Sequence, residues 1–254
     1  MRFLVVKSKT IKCVLLVLMC AVLLSLNFGY GSAATVFFGY APRKVPIYSV
    51  DTNLKKVALT FDSAWGADKT LKIIETLKEF NAKATFFLVG FWVEEYPEMV
   101  KAINNAGLEI GTHSNTHADF VNLSESEMEL ELSTSVNLIT NITGSKVNLF
   151  RAPYGSYNNS VISVAEKQNL TTIQWDVDTL DWKGLNGNEI CARVTNKVKN
   201  GSIILCHNNS DHILTALPLM LTALKNMGYK ITTVGDLIFK DNYYIDNLGI
   251  QREK

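Results

Sequence analysis

The chain has 254 residues, of which 47% are hydrophobic and 19% charged, with a formal net charge of +1. That length suits one large α/β domain or two small ones and buries a substantial core without staples. Near-zero net charge removes the electrostatic case for a nucleic-acid partner, which shows itself as a basic excess.

The N-terminus differs from the rest. Arg2, Lys7, Lys9 and Lys12 precede an apolar run from Cys13 to Leu24, continued by Leu26 and Phe28, and small residues follow at Gly31, Ser32, Ala33 and Ala34. This is the order of an export signal over residues 1–34, with cleavage expected after Ala33 or Ala34. The apolar run is short beside the about 20 residues of a membrane span. An uncleaved signal anchor is the alternative, and the N-terminal segment is the only membrane contact expected. Cys13 and Cys20 lie within it, so Cys191 and Cys206 remain, expected as buried thiols with a single disulfide as the alternative.

Residues 35–54 read as an irregular or extended leader, because Pro42 and Pro46 break any helix. From Lys56 onward, β-rich runs at 57–61, 85–89, 109–112, 148–150, 171–177, 202–206 and 230–233 alternate with helical patterns. The first helix carries Leu71, Ile74, Leu77 and Phe80 on its expected apolar face. The next helix opens near Ser124 with a capping box completed by Glu127. Later helices cover 159–167, 188–199 and 213–226, and Gly107, Gly144 and Gly228 fall where helices should end. This alternation predicts a parallel sheet with helices outside it, as a doubly wound sheet or a barrel. The stretch after Phe239 reads as an extension of low order.

Ligands of parallel α/β arrays gather at the carboxyl ends of the strands. There the sequence places Asp62, His113, Arg151, the run from Asp176 to Asp181, and His207. His113 and His117, four apart, fall on one side of a helical turn, a spacing that chelates zinc or a similar divalent ion. The pair lacks the glutamate of His-Glu-x-x-His, which disfavours a metalloprotease. Asp62 closes a hydrophobic strand and suits a proton acceptor for an activated water. Asp68 reads as the cap of the following helix. Arg151 suits a partner that keeps a carboxylate ionised. His207 follows an apolar strand, and Asp181 suits a partner that fixes its tautomer and raises its pKa, so that it donates a proton to a leaving amine.

Thr-Phe-Asp-Ser at 60–63, His-Ser-Asn-Thr-His at 113–117, Arg-Ala-Pro-Tyr-Gly at 151–155, Asp-Thr-Leu-Asp-Trp at 178–182 and Ile-Leu-Cys-His at 204–207 resemble, in order, the motifs of the polysaccharide deacetylase family, the NodB-like carbohydrate esterases of family four. The resemblance spans about residues 55 to 238. It implies a distorted (β/α) barrel as catalytic domain over 55–240, with 241–254 as tail. It also implies a divalent metal, taken as zinc with cobalt or manganese as alternatives. The reaction implied is hydrolysis of N-acetyl groups on amino sugars of a chitin-like or peptidoglycan polymer, by an exported, monomeric protein.

Carried over by position, Asp62 is the catalytic base, His113 and His117 are metal ligands, and His207 is the catalytic acid. Arg151 orients Asp62, and Asp181 tunes His207. The backbone N–H of Tyr154 helps hold the oxyanion, while Trp175 and Leu205 pocket the acetyl methyl. In one respect the chain departs from the pattern: Ser63 stands where the family places a third metal-ligating Asp. A water in the vacancy, Asp62 turned onto the metal, or Asp68 reaching in are the three replacements. The departure motivates a second reading, a glycan-binding wall protein with a degenerate site. The Ser63-Ala64-Trp65-Gly66 variant further resembles a branch associated with bacterial spore formation.

Overall fold

A computed structural model describes residues 9, 11–23 and 42–254. The chain divides into two units, residues 1–43 and 44–254. In the first, residues 11–23 are helical. Among the described residues no helix is long and apolar enough to cross a membrane. Arg2, Lys7, the small residues at 31–34 and the expected cleavage after Ala33 or Ala34 lie outside the described residues.

The strands of the second unit are β1 (Ser49–Val50), β2 (Lys56–Ser63), β3 (Thr85–Leu88), β4 (Glu109–Thr112), β5 (Leu149–Phe150), β6 (Thr171–Thr172), β7 (Val177–Asp178), β8 (Ile203–His207), β9 (Lys230–Thr232), β10 (Tyr243–Ile245) and β11 (Ile250–Glu253). The helices are α1 (Thr70–Glu79), α2 (Gly90–Glu95), α3 (Pro97–Asn105), α4 (Glu125–Thr143), α5 (Asn159–Lys167), α6 (Gly187–Thr195), α7 (Ile213–Asn226) and α8 (Val234–Leu237). A parallel sheet runs in the order β6-β5-β4-β3-β2-β8-β7, with β9 beside the first half of β2.

β2 is the central strand and is buried from Val57 to Ser63. Such a strand is covered on both faces and so reads as a nearly continuous apolar run. Its alternating side chains still divide the core. Val57, Leu59 and Phe61 join Ile73 and Leu77 of α1 and Leu217 and Leu221 of α7 in an outer cluster. Ala58 joins Phe87, Leu149, Ile173 and Ile203 in a second cluster.

The sheet is a distorted (β/α) barrel, as the resemblance implies. The run expected as one strand over 171–177 is divided: β6 pairs with β5, and β7 pairs with β8. Ile47 takes a place beside this break. Its N–H donates to the Thr172 carbonyl at 3.0 Å, its carbonyl accepts from the Gln174 N–H at 2.7 Å, and its side chain is wholly buried. From Lys44 onward the expected leader is thus part of the second unit. The tail is also ordered, against expectation: β11 pairs in parallel with β1 and antiparallel with β10. Gln251 is buried, donating to the Phe239 carbonyl at 2.9 Å and accepting the Phe239 N–H at 2.8 Å. Strands this short carry too few residues to show a period of two.

Other differences are local. α1 turns Thr70, Ile73, Thr76 and Leu77 inward, while Leu71 is exposed. Its N-cap is Lys69 rather than Asp68. The α4 capping box forms as read, with Ser124 and Glu127 bonding reciprocally. Gly107, Gly144 and Gly228 all have positive φ. Cys191 and Cys206 are free thiols, Cys206 fully buried.

Candidate active site

Two strands deliver the central pair. Ala58, Thr60 and Asp62 share one face of β2, and Ile203, Leu205 and His207 share one face of β8. Register pairs them as Ala58↔Ile203, Thr60↔Leu205 and Asp62↔His207. The last pair stands at the carboxyl ends of both strands.

Asp62 is nearly buried, and Arg151 enters behind it from the end of β5, fully buried. One guanidinium nitrogen of Arg151, Nη1, donates to Asp62 Oδ1 at 2.7 Å and to Thr60 Oγ1 at 2.8 Å. Its Nη2 donates to the Gln174 carbonyl at 3.1 Å, and the guanidinium carbon lies 4.2 Å from the Phe87 ring centre. Burial alone would push the Asp62 carboxyl up. The Arg151 charge, with a further contribution from His207, outweighs it and holds Asp62 below the ordinary carboxylate range.

His113 follows β4 directly. Its Nδ1 lies 2.7 Å from the Arg151 carbonyl oxygen, which only accepts, so Nδ1 carries the proton and Nε2 presents its lone pair. That Nε2 is 3.6 Å from Asp62 Oδ2. His113 and His117 do meet, with ring centres 5.0 Å apart. They meet across a loop and not along a helical turn: Ser114 and His117 have φ of 71° and 59°. The His117 N–H donates to Ser114 Oγ at 2.9 Å. Glu131 of α4 holds the loop between the imidazoles, its carboxylate accepting the Asn115 and Thr116 N–H groups at 2.8 and 2.9 Å and the Thr116 hydroxyl at 2.7 Å. Burial pushes both imidazoles down, His117 to about 4, so both are neutral near pH 7.

His207 is gripped twice by Asp181, itself buried in the turn after β7. Its Nδ1 lies 2.7 Å from Asp181 Oδ1, and its N–H donates to Oδ2 at 2.8 Å. Burial pushes His207 down, but the bond to Asp181 and the Asp181 charge overcome it and raise the pKa. With Nδ1 committed, Nε2 is the nitrogen left for the groove.

Asp62, His113, His117, Tyr154, Trp175, Leu205 and His207 all line one groove of about 590 Å³. Arg151 and Asp181 stand behind Asp62 and His207. Every site residue expected from sequence is therefore in the groove wall or bonded to it. Tyr154 takes φ 60°, a left-handed conformation costly for a tyrosine, and packs edge-on against His117 at 4.7 Å. Gly155 also has positive φ, and a Cβ there would meet the Trp175 ring at 3.1 Å.

Sequence reading gave no site role to Trp65, Trp182 and Asn209 in the wall or to Glu131 behind the histidine loop, while Asp178 lies in the run it placed at a strand end. Trp182 closes the 178–182 motif and Trp65 follows the 60–63 motif by two residues, and both are exposed. Glu131 lies on a helix far along the chain and gave no local sign.

The donor set partly fits a divalent ion. Two neutral imidazoles converge, and the buried His117 Nδ1 has no hydrogen-bond partner. Among the described residues, however, no group of three His, Cys, Asp or Glu side chains is arranged to hold a metal. Ser63 is buried with an unpartnered Oγ, and the Asp68 carboxylate is 72% exposed beside Lys69 and does not line the groove.

The polysaccharide deacetylase family profile matches residues 49–173. A peptidoglycan-N-acetylglucosamine deacetylase of Bacillus cereus is 33% identical over 78% of this chain and 73% of its own length. The chain belongs to the polysaccharide deacetylase family. Another relative of this family member, the uncharacterized protein YlxY of Bacillus subtilis, is 34% identical over 76% of this chain, and the chain spans 60% of that relative's length. Among solved structures, a CE4 family pseudoenzyme from Bacillus anthracis is 38% identical, with a TM-score of 0.74 over 76% of this chain and 68% of that chain. A mutant of it with restored enzymatic activity is 40% identical, with a TM-score of 0.74 over 76% and 71%.

Proposed function

We propose that this chain is a metal-dependent hydrolase that removes N-acetyl groups from amino sugars of a cell-wall polysaccharide, peptidoglycan being the substrate its relatives favour. The observation that carries the reading is the cross-strand pairing of Asp62 with His207 in the groove that holds both His113 and His117.

His113 and His117 would hold the ion, zinc for preference, with cobalt and manganese accepted by the same donors. When bound, it polarises the acetamide carbonyl and lowers the pKa of the attacking water. Asp62, kept ionised by Arg151, takes that water's proton. His207, kept protonated by Asp181, gives its Nε2 proton to the departing sugar amine. The Tyr154 N–H donates to the tetrahedral oxyanion, and Trp175 and Leu205 enclose the acetyl methyl.

The test is acetate release from N-acetylglucosamine oligomers or peptidoglycan by purified protein with added zinc, cobalt or manganese. His207→Ala should abolish release; absence of release on every polymer overturns the enzymatic reading. Zinc titration into wild type and His113→Ala tests the ligand assignment, which equal binding by the two would overturn.

A second reading, a glycan-binding wall protein with a degenerate site, is favoured by Ser63 and by the likeness to the Bacillus anthracis pseudoenzyme. It expects glycan binding without acetate release and little affinity for metal.

The N-terminal segment supports export to the cell wall, as a cleaved signal or a membrane anchor. Sequencing the mature N-terminus decides between the two. The Ser63-Ala64-Trp65-Gly66 loop supports a role in spore formation, which deletion of the gene followed by a count of heat-resistant spores tests.

A further inference from the structure

The loop between β2 and α1 carries a large apolar side chain in water for no folding reason. Trp65 is 58% exposed. Yet its backbone is fixed from two sides at the next residue. The Gly66 carbonyl accepts the indole N–H of Trp92 at 2.8 Å and the side-chain amide of Asn208 at 2.9 Å, both from buried residues. Gly66 has φ 61°, and Lys69 Nζ donates to the Asn209 carbonyl at 3.0 Å, tying the loop to the segment after His207. A rigid loop that holds an indole out of the core presents it instead of burying it.

What Trp65 faces is the groove. Its ring centre is 5.0 Å from that of His117 and 6.4 Å from that of Phe91, and it lines the same cavity as Asp62 and His207. Two more exposed rings stand on the rim, Tyr154 on His117 and Trp182, whose ring lies 4.8 Å from the Lys183 ammonium. Asn209 and Asp178 add polar groups to the wall. Exposed rings beside hydrogen-bonding side chains suit a pyranose, which has an apolar C–H face and a polar edge.

We propose that Trp65 is a stacking platform for a second sugar ring, the neighbour in the polymer of the ring whose acetamide lies over Asp62 and His207. The assignment rests on the amino-sugar polymer proposed above, whether the site turns over or only binds. The platform makes recognition depend on chain length, because an oligomer brings a second ring to Trp65 that a monosaccharide lacks.

The test is calorimetric titration of full-length protein, chelator-treated to stop turnover, with the N-acetylglucosamine monomer and tetramer. Trp65→Ala should weaken tetramer binding about tenfold, the scale of an aromatic contact, and reduce the preference for tetramer over monomer. Trp65→Phe should recover most of the loss, and the melting temperature of both variants should match wild type because the ring lies outside the core. Equal tetramer affinity in wild type and Trp65→Ala overturns the platform and leaves the polymer reading standing. A wild type that binds no tetramer either after chelation or with zinc returned overturns both. Trp65-dependent binding without acetate release after metal is returned supports the platform and overturns only the enzymatic reading.

Discussion

Asp62 and His207 are Cα partners at the carboxyl ends of two adjacent parallel strands. Their buried partners drive them to opposite charges. Arg151 lowers the pKa of Asp62 and Asp181 raises that of His207, so the pH window in which a proton acceptor and a proton donor stand side by side is widened at both ends. Hydrolysis of an amide needs both, one for the water and one for the amine.

Asp181→Asn should separate these roles. Asparagine can still accept the His207 N–H but carries no charge to hold the imidazolium. The turnover rate should fall by about a hundredfold or more, and the high-pH limb of the kcat profile should move to lower pH. Stability follows the same sign. Because the folded pKa of His207 is raised, its ion pair contributes below the unfolded histidine pKa of about 6.5 and fades as pH rises through the folded value. The deficit of the variant in urea unfolding should therefore be larger at pH 6 than at pH 9. An unshifted pH profile would show that Asp181 does not tune His207.

Arg151→Met tests the other pair. It leaves a buried carboxylate without its cation, which costs about 3–5 kcal/mol at neutral pH. Since the folded pKa of Asp62 is depressed, the wild-type pair contributes above the unfolded carboxyl pKa of about 3.9 and is lost as pH falls through the folded value. Urea unfolding should show the gap between the proteins close in acid. A gap that stays constant with pH would assign the loss to packing on Phe87 and Trp175 instead.

Much of this site was legible because strand-end position and residue type are local signals. Asp62 after an apolar run and His207 after another could be read one strand at a time. Their pairing could not, since register between residues 62 and 207 on strands far apart in the chain leaves no mark in either segment. The i, i+4 spacing of His113 and His117 gave the correct encounter for a wrong reason: a loop with two positive φ residues brings the rings together, braced by Glu131 from a helix beyond it. Ile47 and the strands β10 and β11 were unreadable for another cause. Their contribution is tertiary, Ile47 beside the break between β6 and β7 and the two strands in a separate three-stranded sheet with β1, and Pro42, Pro46 and the charged C-terminus masked it.

Removal of residues 241–254 should show that this second sheet matters. It takes away β10 and β11, the partner of β1, and the buried Gln251 that satisfies both backbone groups of Phe239. Stranded backbone groups and newly exposed Val50 and Ile238 together cost about 3 kcal/mol or more. Thermal unfolding of the shortened chain should begin well below wild type, and an unchanged midpoint would return the tail to the dispensable extension first expected.

Ser63→Asp addresses the departure from the family pattern. The Ser63 hydroxyl is buried and unpartnered, so a carboxylate there has no protein cation waiting for it. Without metal the variant should be less stable than wild type, because an unpaired buried charge is costly. With metal the order should reverse. Two imidazoles and a carboxylate make a three-ligand site of the catalytic zinc type, whereas wild type offers the imidazoles alone. Zinc at about a hundred times its Kd adds about 2.7 kcal/mol to the stability of whatever binds it. The zinc-induced rise in melting temperature should therefore be larger in Ser63→Asp than in wild type at the same zinc concentration, and His113→Ala added to the variant should remove it. Equal zinc responses in Ser63→Asp and wild type would place residue 63 away from the metal and remove the argument for a weakened site.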